Sequence, residues 1–330
     1  MAGETSLTRV YNDVMSLTRD KLAPLMADSV SNRIPTLVLL NAAGRKEKWS
    51  GGEKLSFEVF KEETVTEGYS DLDTVQTTRP NSVTRAFYEW KQVQTPVTIS
   101  GREMLKNAGD AQIVNLVKAR IEAGIISQAN RLGGRVLGIF SDATESDLTR
   151  VTGFQSLISN TPTAGTVGNI ARSNSWWQNQ RDAVTTNFTT DGLISMRTLW
   201  FLCSFGSDVP DIIAFNRSTF ENYERALQAT LSYNLPGTAP QAALDLGLPN
   251  AMNYKGAMMV YDDGVPDNRG YYINSKYLHY VVHESRDSEL GEFATTIDQD
   301  GIFGHIWWAG ELCFDAMRYH GLLADGDTFS

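Results

Sequence analysis

The 330-residue sequence has two cysteines, Cys203 and Cys313, and no CxxC pair. That excludes a disulfide framework and a cysteine metal site. Both lie in apolar stretches, so two buried free thiols in a reducing compartment are expected. Histidine is also scarce, with only His279, His283, His305 and His320. His279 and His283 have the spacing of a zincin helix, but Tyr280 stands where that motif needs glutamate. Their surroundings alternate like a strand, so no metal site is expected. No GxSxG elbow occurs, because Gly206-Ser207-Asp208 lacks the second glycine. Gly133-Gly134 and Gly101-Arg102-Glu103 match neither a phosphate loop nor a dinucleotide fingerprint, so no cofactor is expected. The acidic pairs Asp262-Asp263, Asp298/Asp300 and Asp325/Asp327 read as solvated turns. Apolar runs such as Leu37–Leu40 are far too short to cross a bilayer. No charged-then-apolar leader opens the chain, so no signal peptide is expected. Basic residues are outnumbered, 29 Lys+Arg against 39 Asp+Glu, for a net charge of −10. Such a chain is no general binder of nucleic acid or anionic membrane, although it could enclose nucleic acid without gripping it. No fixed repeat is present.

What the chain does have is length and apolar content. At 330 residues it exceeds the size at which one core keeps growing, so two subdomains are expected. A hydrophobic content of 42% supports a sizeable core. Asp110 to Phe140 reads as one amphipathic helix. Ile113, Leu116, Val117, Ile121, Ile125, Leu132, Val136 and Phe140 fall mostly three or four apart. Gly133-Gly134 predicts a bend in it.

Before this helix, residues 5–27 carry a modest helical period through Leu7, Val10 and Val14, and Arg33 to Leu40 reads as extended. Lys54 to Phe60 alternates, with Leu55, Phe57 and Val59 on one face. A second extended run begins at Val83–Tyr88. Between them lies a polar, acidic turn region containing Tyr69. The two runs predict a long hairpin, which buries too little to stand alone and needs a partner surface.

After the helix, composition shifts to Ser, Thr, Asn and Gly, with Trp176-Trp177 as a packed anchor. Residues 191–205 predict a helix. Asp211–Phe215 predicts a strand, and Ser218-Thr-Phe-Glu a capping box opening another helix. Leu244–Leu248, Tyr254–Tyr261, Gly270–Asn274 and Leu278–His283 predict strands, as do Ile302 to Phe314. Leu323 to Ser330 reads as a loose tail. Helices, strands and aromatic anchors without a catalytic constellation suit a structural protein, not an enzyme.

The order of these elements resembles the major capsid proteins of tailed bacteriophages, the Hong Kong 97-type fold. The resemblance rests on Gly51-Gly-Glu-Lys-Leu-Ser-Phe-Glu-Val-Phe, returning through Tyr88-Glu-Trp-Lys-Gln and Thr98-Ile-Ser-Gly-Arg-Glu-Met-Leu-Lys-Asn into the helix. It rests further on Pro210-Asp-Ile-Ile-Ala-Phe-Asn, Tyr254-Lys-Gly-Ala-Met-Met-Val-Tyr-Asp-Asp, Tyr271-Tyr-Ile-Asn-Ser-Lys-Tyr-Leu-His and Ile306-Trp-Trp-Ala-Gly-Glu-Leu. It implies an α+β chain with an N-terminal arm (1–43) and an extended β-hairpin loop (44–84). A peripheral domain with a long spine helix (85–150) would precede an axial α/β domain (151–288). Return strands (289–322) and a C-terminal tail (323–330) would complete it.

The resemblance also implies a function. Hexamers and pentamers of the chain would close an icosahedral head around double-stranded DNA, without sequence-specific binding. Portal, scaffolding and decoration proteins would be further partners, and the virion its place, assembled in the host cytoplasm. Assembly contacts would come from Leu7, Val10 and Val14 of the arm and Leu55, Phe57, Phe60 and Tyr69 of the loop. Lys54 and Lys61 lie in the loop from which some members crosslink, but no acceptor matches here. Two alternatives stand beside this reading. One is an encapsulin-type nanocompartment shell of the same fold. The other is an α+β hydrolase with a site around His279, His283 and Asp300.

Overall fold

The computed structural model describes residues 34–61, 66–71, 73–74, 81–106, 110–185, 188–230, 251–295 and 300–325. It begins with helix α1, Pro35–Ala42, where an extended segment was expected. Pro35 presets the first-turn φ at the helix start, where its missing N–H costs nothing. Apolar residues all round this short helix let it sit inside the core, and Leu37, Leu39 and Leu40 are buried. Short apolar runs carry no period that separates strand from buried helix. Asp262 anchors the first turn, accepting from Thr36 Oγ1 at 2.8 Å and Thr36 N at 3.3 Å. Expected in a solvated turn, Asp262 is instead buried and serves as this cap.

Strand β1 (Lys46–Trp49) follows, then β2 (Leu55–Phe60), β3 (Val83–Tyr88) and β4 (Lys91–Ser100). β2 and β3 form the expected hairpin, in register from Leu55 opposite Tyr88 to Phe60 opposite Val83. A short helix α2 (Gly101–Lys106) leads to the long helix α3, Asp110–Leu132. Its 23 residues span roughly 35 Å. The sequence predicts a bend near 133–134 and continuation to Phe140, but the helix stops at Leu132. The chain then doubles back, and Ile139 N donates to Leu132 O at 2.9 Å. Gly138 sits hard against the Leu132 carbonyl, with no room for a Cβ. Consecutive glycines weaken the helix, and this closed turn replaces it.

Beyond a short helix α4 (Phe154–Leu157) come the paired strands β5 (Thr166–Val167) and β6 (Ile170–Ala171), then β7 (Gln180–Val184). Helix α5 (Leu193–Cys203), β8 (Ile212–Phe215) and α6 (Arg217–Thr230) follow. The cap of α6 is Asn216 rather than Ser218, since Asn216 Oδ1 accepts from Thr219 N at 3.1 Å. Glu221 pairs with Arg217 at 2.8 Å instead of reaching back to the serine. Tyr254–Tyr261, expected as one strand, is a tight hairpin of β9 (Met252–Tyr254) and β10 (Ala257–Tyr261). Lys255 and Gly256 both take positive φ at its turn, as a two-residue hairpin loop requires. The expected strand Leu244–Leu248 lies outside the described residues.

The chain closes with β11 (Arg269–Ile273), β12 (Leu278–His283), β13 (Glu289–Leu290), β14 (Ala294–Thr295), the fourteen-residue β15 (Gly301–Phe314) and β16 (Gly321–Asp325). Two six-stranded sheets result. In the first, β15 pairs with β4 along ten residues and with β12 near its end. β13 and β14 also pair with β15, while β1 lies parallel to β12. α3 packs on β4 through Val117 and Ile121 against Val97, Ile99, Ile302 and Ile306. Gly124 permits that approach, since a Cβ there would stand 3.0 Å from Ile306 and Val97 side chains.

The second sheet runs β7-β16-β11-β8-β10-β9. Its faces are both covered, so its strands read as continuous apolar runs. On one face Phe215, Met259, Tyr272 and Leu323 pack under α5 and α6. Ile212, Val260, Tyr271 and Leu322 join the core with Phe140, Phe154, Trp177 and α1. Leu323, Ala324 and Asp325, expected in a loose tail, belong to β16 between β7 and β11.

Candidate assembly surface

The hairpin β2–β3 has two unlike faces. Leu55, Val59, Ala86 and Tyr88 are buried in the subunit's own core. Tyr88 Oη donates to Phe314 O at 2.8 Å, tying the hairpin root to β15. Leu55, expected to contact a neighbour, is therefore committed internally, because alternation turns it to the same side as Val59. Phe57 is half-buried, with its ring 5.5 Å from Trp49 and 4.5 Å from the His279 ring. Phe60 is 80% exposed and Tyr69 77% exposed. Val83 and Phe87 are exposed as well. Leu7, Val10 and Val14 lie outside the described residues.

A second apolar surface escaped the sequence reading. On α5, Met196, Leu199 and Cys203 face the core, as their spacing predicts. Ile194, Phe201 and Leu202 on the same helix, and Phe205 just beyond it, are exposed, with Phe201 at 60%. Cations rim this stripe. Lys255 Nζ stands 4.0 Å from the Phe201 ring centre, and the Arg318 guanidinium 4.3 Å from that of Phe205. The missed signal was a helix apolar on nearly every side, which a surface helix with one buried face does not need.

The polar interior is organised around buried ionisable side chains. Glu311, on β15, accepts from Thr152 N and Thr152 Oγ1, each at 3.0 Å. Burial pushes its carboxyl up to about 8. Lys91, also buried, donates to the Glu145 carbonyl at 2.6 Å. The Arg172 guanidinium donates to Asn179 Oδ1 at 2.8 Å and to the Ser156 and Leu157 carbonyls at 2.5 Å. The Glu311 bonds tie the irregular 151–179 segment to β15, and the Arg172 bonds tie that segment to itself.

The residues of the hydrolase alternative are not brought together. His279 pairs across the sheet with Cys313, and its Nδ1 lies 2.6 Å from Glu47 Oε1. His283 Nδ1 accepts from Ser285 N at 3.2 Å. Asp300 lies at the far end of β15, its carbonyl accepting from Gly101 N at 2.9 Å. Twelve strand residues lie between it and Cys313, about 40 Å of chain. Among the described residues no acidic, histidine and cysteine cluster could hold a metal ion. No described helix is long and apolar enough to cross a membrane.

No family model matches the chain, and no curated protein does. Solved structures do. The capsid asymmetric unit of cyanophage A-1(L) aligns with 90% of this chain and 93% of that one, at a TM-score of 0.61 and 14% identity. The capsid of the native GTA particle aligns with 87% of this chain and 90% of that one, at 0.58 and 11%. A virus-like particle from Pyrococcus furiosus aligns with 92% and 98%, at 0.50 and 12%. This chain has the Hong Kong 97-type capsid fold. Within that capsid fold, α3 is the spine helix and β2–β3 the extended hairpin. The sheet β7-β16-β11-β8-β10-β9 with α5 and α6 is the α/β layer that the resemblance assigns to an axial domain, and is called the axial sheet below.

Proposed function

We propose that this chain is the major capsid protein of a tailed double-stranded DNA bacteriophage, self-assembling into the icosahedral head. One observation carries the reading: a capsid-fold chain whose described residues leave two groups of large apolar side chains exposed. One is the outer face of the hairpin, with Phe60, Val83 and Phe87, and Tyr69 in the loop between its strands is exposed as well. The other is the α5 stripe of Ile194, Phe201, Leu202 and Phe205. Burying apolar area is worth about 25 cal/mol per Å², so these surfaces favour packing against further copies. A monomer normally exposes only scattered apolar side chains. The net charge of −10 lets a shell enclose DNA without adhering to it.

In this reading the chain acts structurally and catalyses nothing. Copies form hexamers and pentamers, and the head recruits portal, scaffolding and decoration proteins in the host cytoplasm. The arm would span 1–43 and the loop 44–84; the axial domain would take 151–288 without β12 but with β16, and peripheral segments would lie on either side. Electron microscopy and sedimentation of the expressed chain test this, with closed shells or rings expected. A strictly monomeric species under every assembly condition would overturn it. Native particles holding an enzyme in place of nuclease-protected DNA would move the assignment to a nanocompartment shell.

A further inference from the structure

The root of the hairpin leans on one titratable ring. His279 stands on β12, between carboxylates from two other elements. Its Nδ1 lies 2.6 Å from Glu47 Oε1 on β1, and its Nε2 lies 3.5 Å from Asp315 Oδ2 just past β15. A neutral imidazole has one N–H and can donate to one of these acceptors, whereas the imidazolium donates to both. The Phe57 ring of β2 stacks on the imidazole, with centroids 4.5 Å apart and planes 24° from parallel. A cation beneath an aromatic face is attracted to it. Phe57 also meets Tyr88 of β3 at 6.3 Å, so both hairpin strands are involved. Trp49 Nε1 donates to the second Glu47 oxygen at 3.1 Å, which fixes that carboxylate.

Two further titratable groups pack beside this site: Cys313 opposite His279 and Tyr88 against Phe57. Tyr88 and Cys313 are fully buried, and burial pushes both up, so both stay neutral. Glu145 adds negative potential at both.

We propose that the His279 imidazolium is a pH-sensitive latch holding the root of the extended hairpin against the subunit body. Burial favours the neutral ring, but the bonds to Asp315 and Glu47 outweigh it and set its pKa above the ordinary 6.5. A value raised by folding gives stabilisation that is complete below the unfolded pKa and lost as pH rises through the folded one. Deprotonation leaves one carboxylate without its donor and removes the charge under Phe57. The hairpin then opens more often while the two sheets stay intact. This follows from the single subunit and holds whether or not copies form a shell.

Hydrogen exchange on the full chain tests the latch, with amide rates across Leu55–Phe60 and Val83–Tyr88 corrected for intrinsic chemistry. Between about pH 5.5 and about pH 8.5, on either side of the ordinary histidine value, wild-type hairpin protection should fall several-fold. Protection of β8 and β11, which the Glu311 titration also touches, should follow the same course in wild type and in His279→Phe. His279→Phe keeps a ring for Phe57 to stack on and should show low hairpin protection at both pH values. Glu47→Gln should move the wild-type transition to lower pH. The same pH response in wild type and His279→Phe would overturn the proposal. So would an NMR titration placing the His279 ring at or below the ordinary value.

Discussion

The axial sheet and the extended hairpin are both antiparallel at their centres, yet they are held in opposite ways. The axial sheet has six strands, with helices on one face and the shared core on the other. The hairpin has two strands, which among the described residues pair with each other and with no third strand. One of its faces is buried at the root, and the other carries Phe60 and Phe87 into solvent. A two-stranded ribbon is marginal by itself. The difference separates residues that hold the fold together from exposed residues that, under the proposed function, would join copies.

Substitutions can break that division, and the largest effect belongs to the axial core. Phe215→Ala removes a fully buried ring between α5, α6 and the sheet. It should cost about 3–5 kcal/mol in chemical denaturation of the dissociated subunit. Next comes pH. Folding raises the Glu311 carboxyl from 4.5 to about 8, so the native state keeps a proton that the unfolded chain releases. Stability from this group is complete below 4.5 and is lost as pH rises towards 8. Glu311→Gln should flatten that slope in denaturation series across the interval.

Phe57→Ser strips the hairpin root of its ring contacts and should cost about 1–2 kcal/mol. It should raise hydrogen exchange in β2 before any change in the axial strands. Smallest in stability are Phe60→Ser and Phe201→Ser, each within about 0.5 kcal/mol because the side chains are exposed. Both should nevertheless cut the yield of assembled particles in sedimentation. A large loss of monomer stability from either would show that its surface is covered within the subunit, erasing the contrast.

Much of the hairpin was legible because alternation has a period of two, which places Leu55, Phe57 and Val59 on one side. The same alternation could not say whether that side meets the subunit or a neighbour, and Leu55 went to the subunit. The spine was legible from its three-and-four spacing as far as Leu132. Its end was not, because Val136 and Phe140 keep the helical spacing while the turn through Gly138 takes them elsewhere. The α5 stripe was hidden by its own abundance: once Leu193, Met196, Leu199, Trp200 and Cys203 had defined a face, Ile194 and Phe201 looked like more of the same core. Asn216 displaced Ser218 as a cap by a shift of two residues, a distance that sequence patterns resolve poorly.

The sequence by itself determined the local periods, the buried free cysteines, the acidic balance and the order of elements that resembles a capsid subunit. These depend on side-chain spacing and composition, which are properties of the chain. Only the tertiary structure decided that the α1 segment is a helix capped by Asp262, 226 residues away along the chain. It also placed β16 inside the axial sheet and His279 between Glu47 and Asp315. Each of these depends on groups far apart in sequence meeting in space, where burial and hydrogen bonding outweigh local preference.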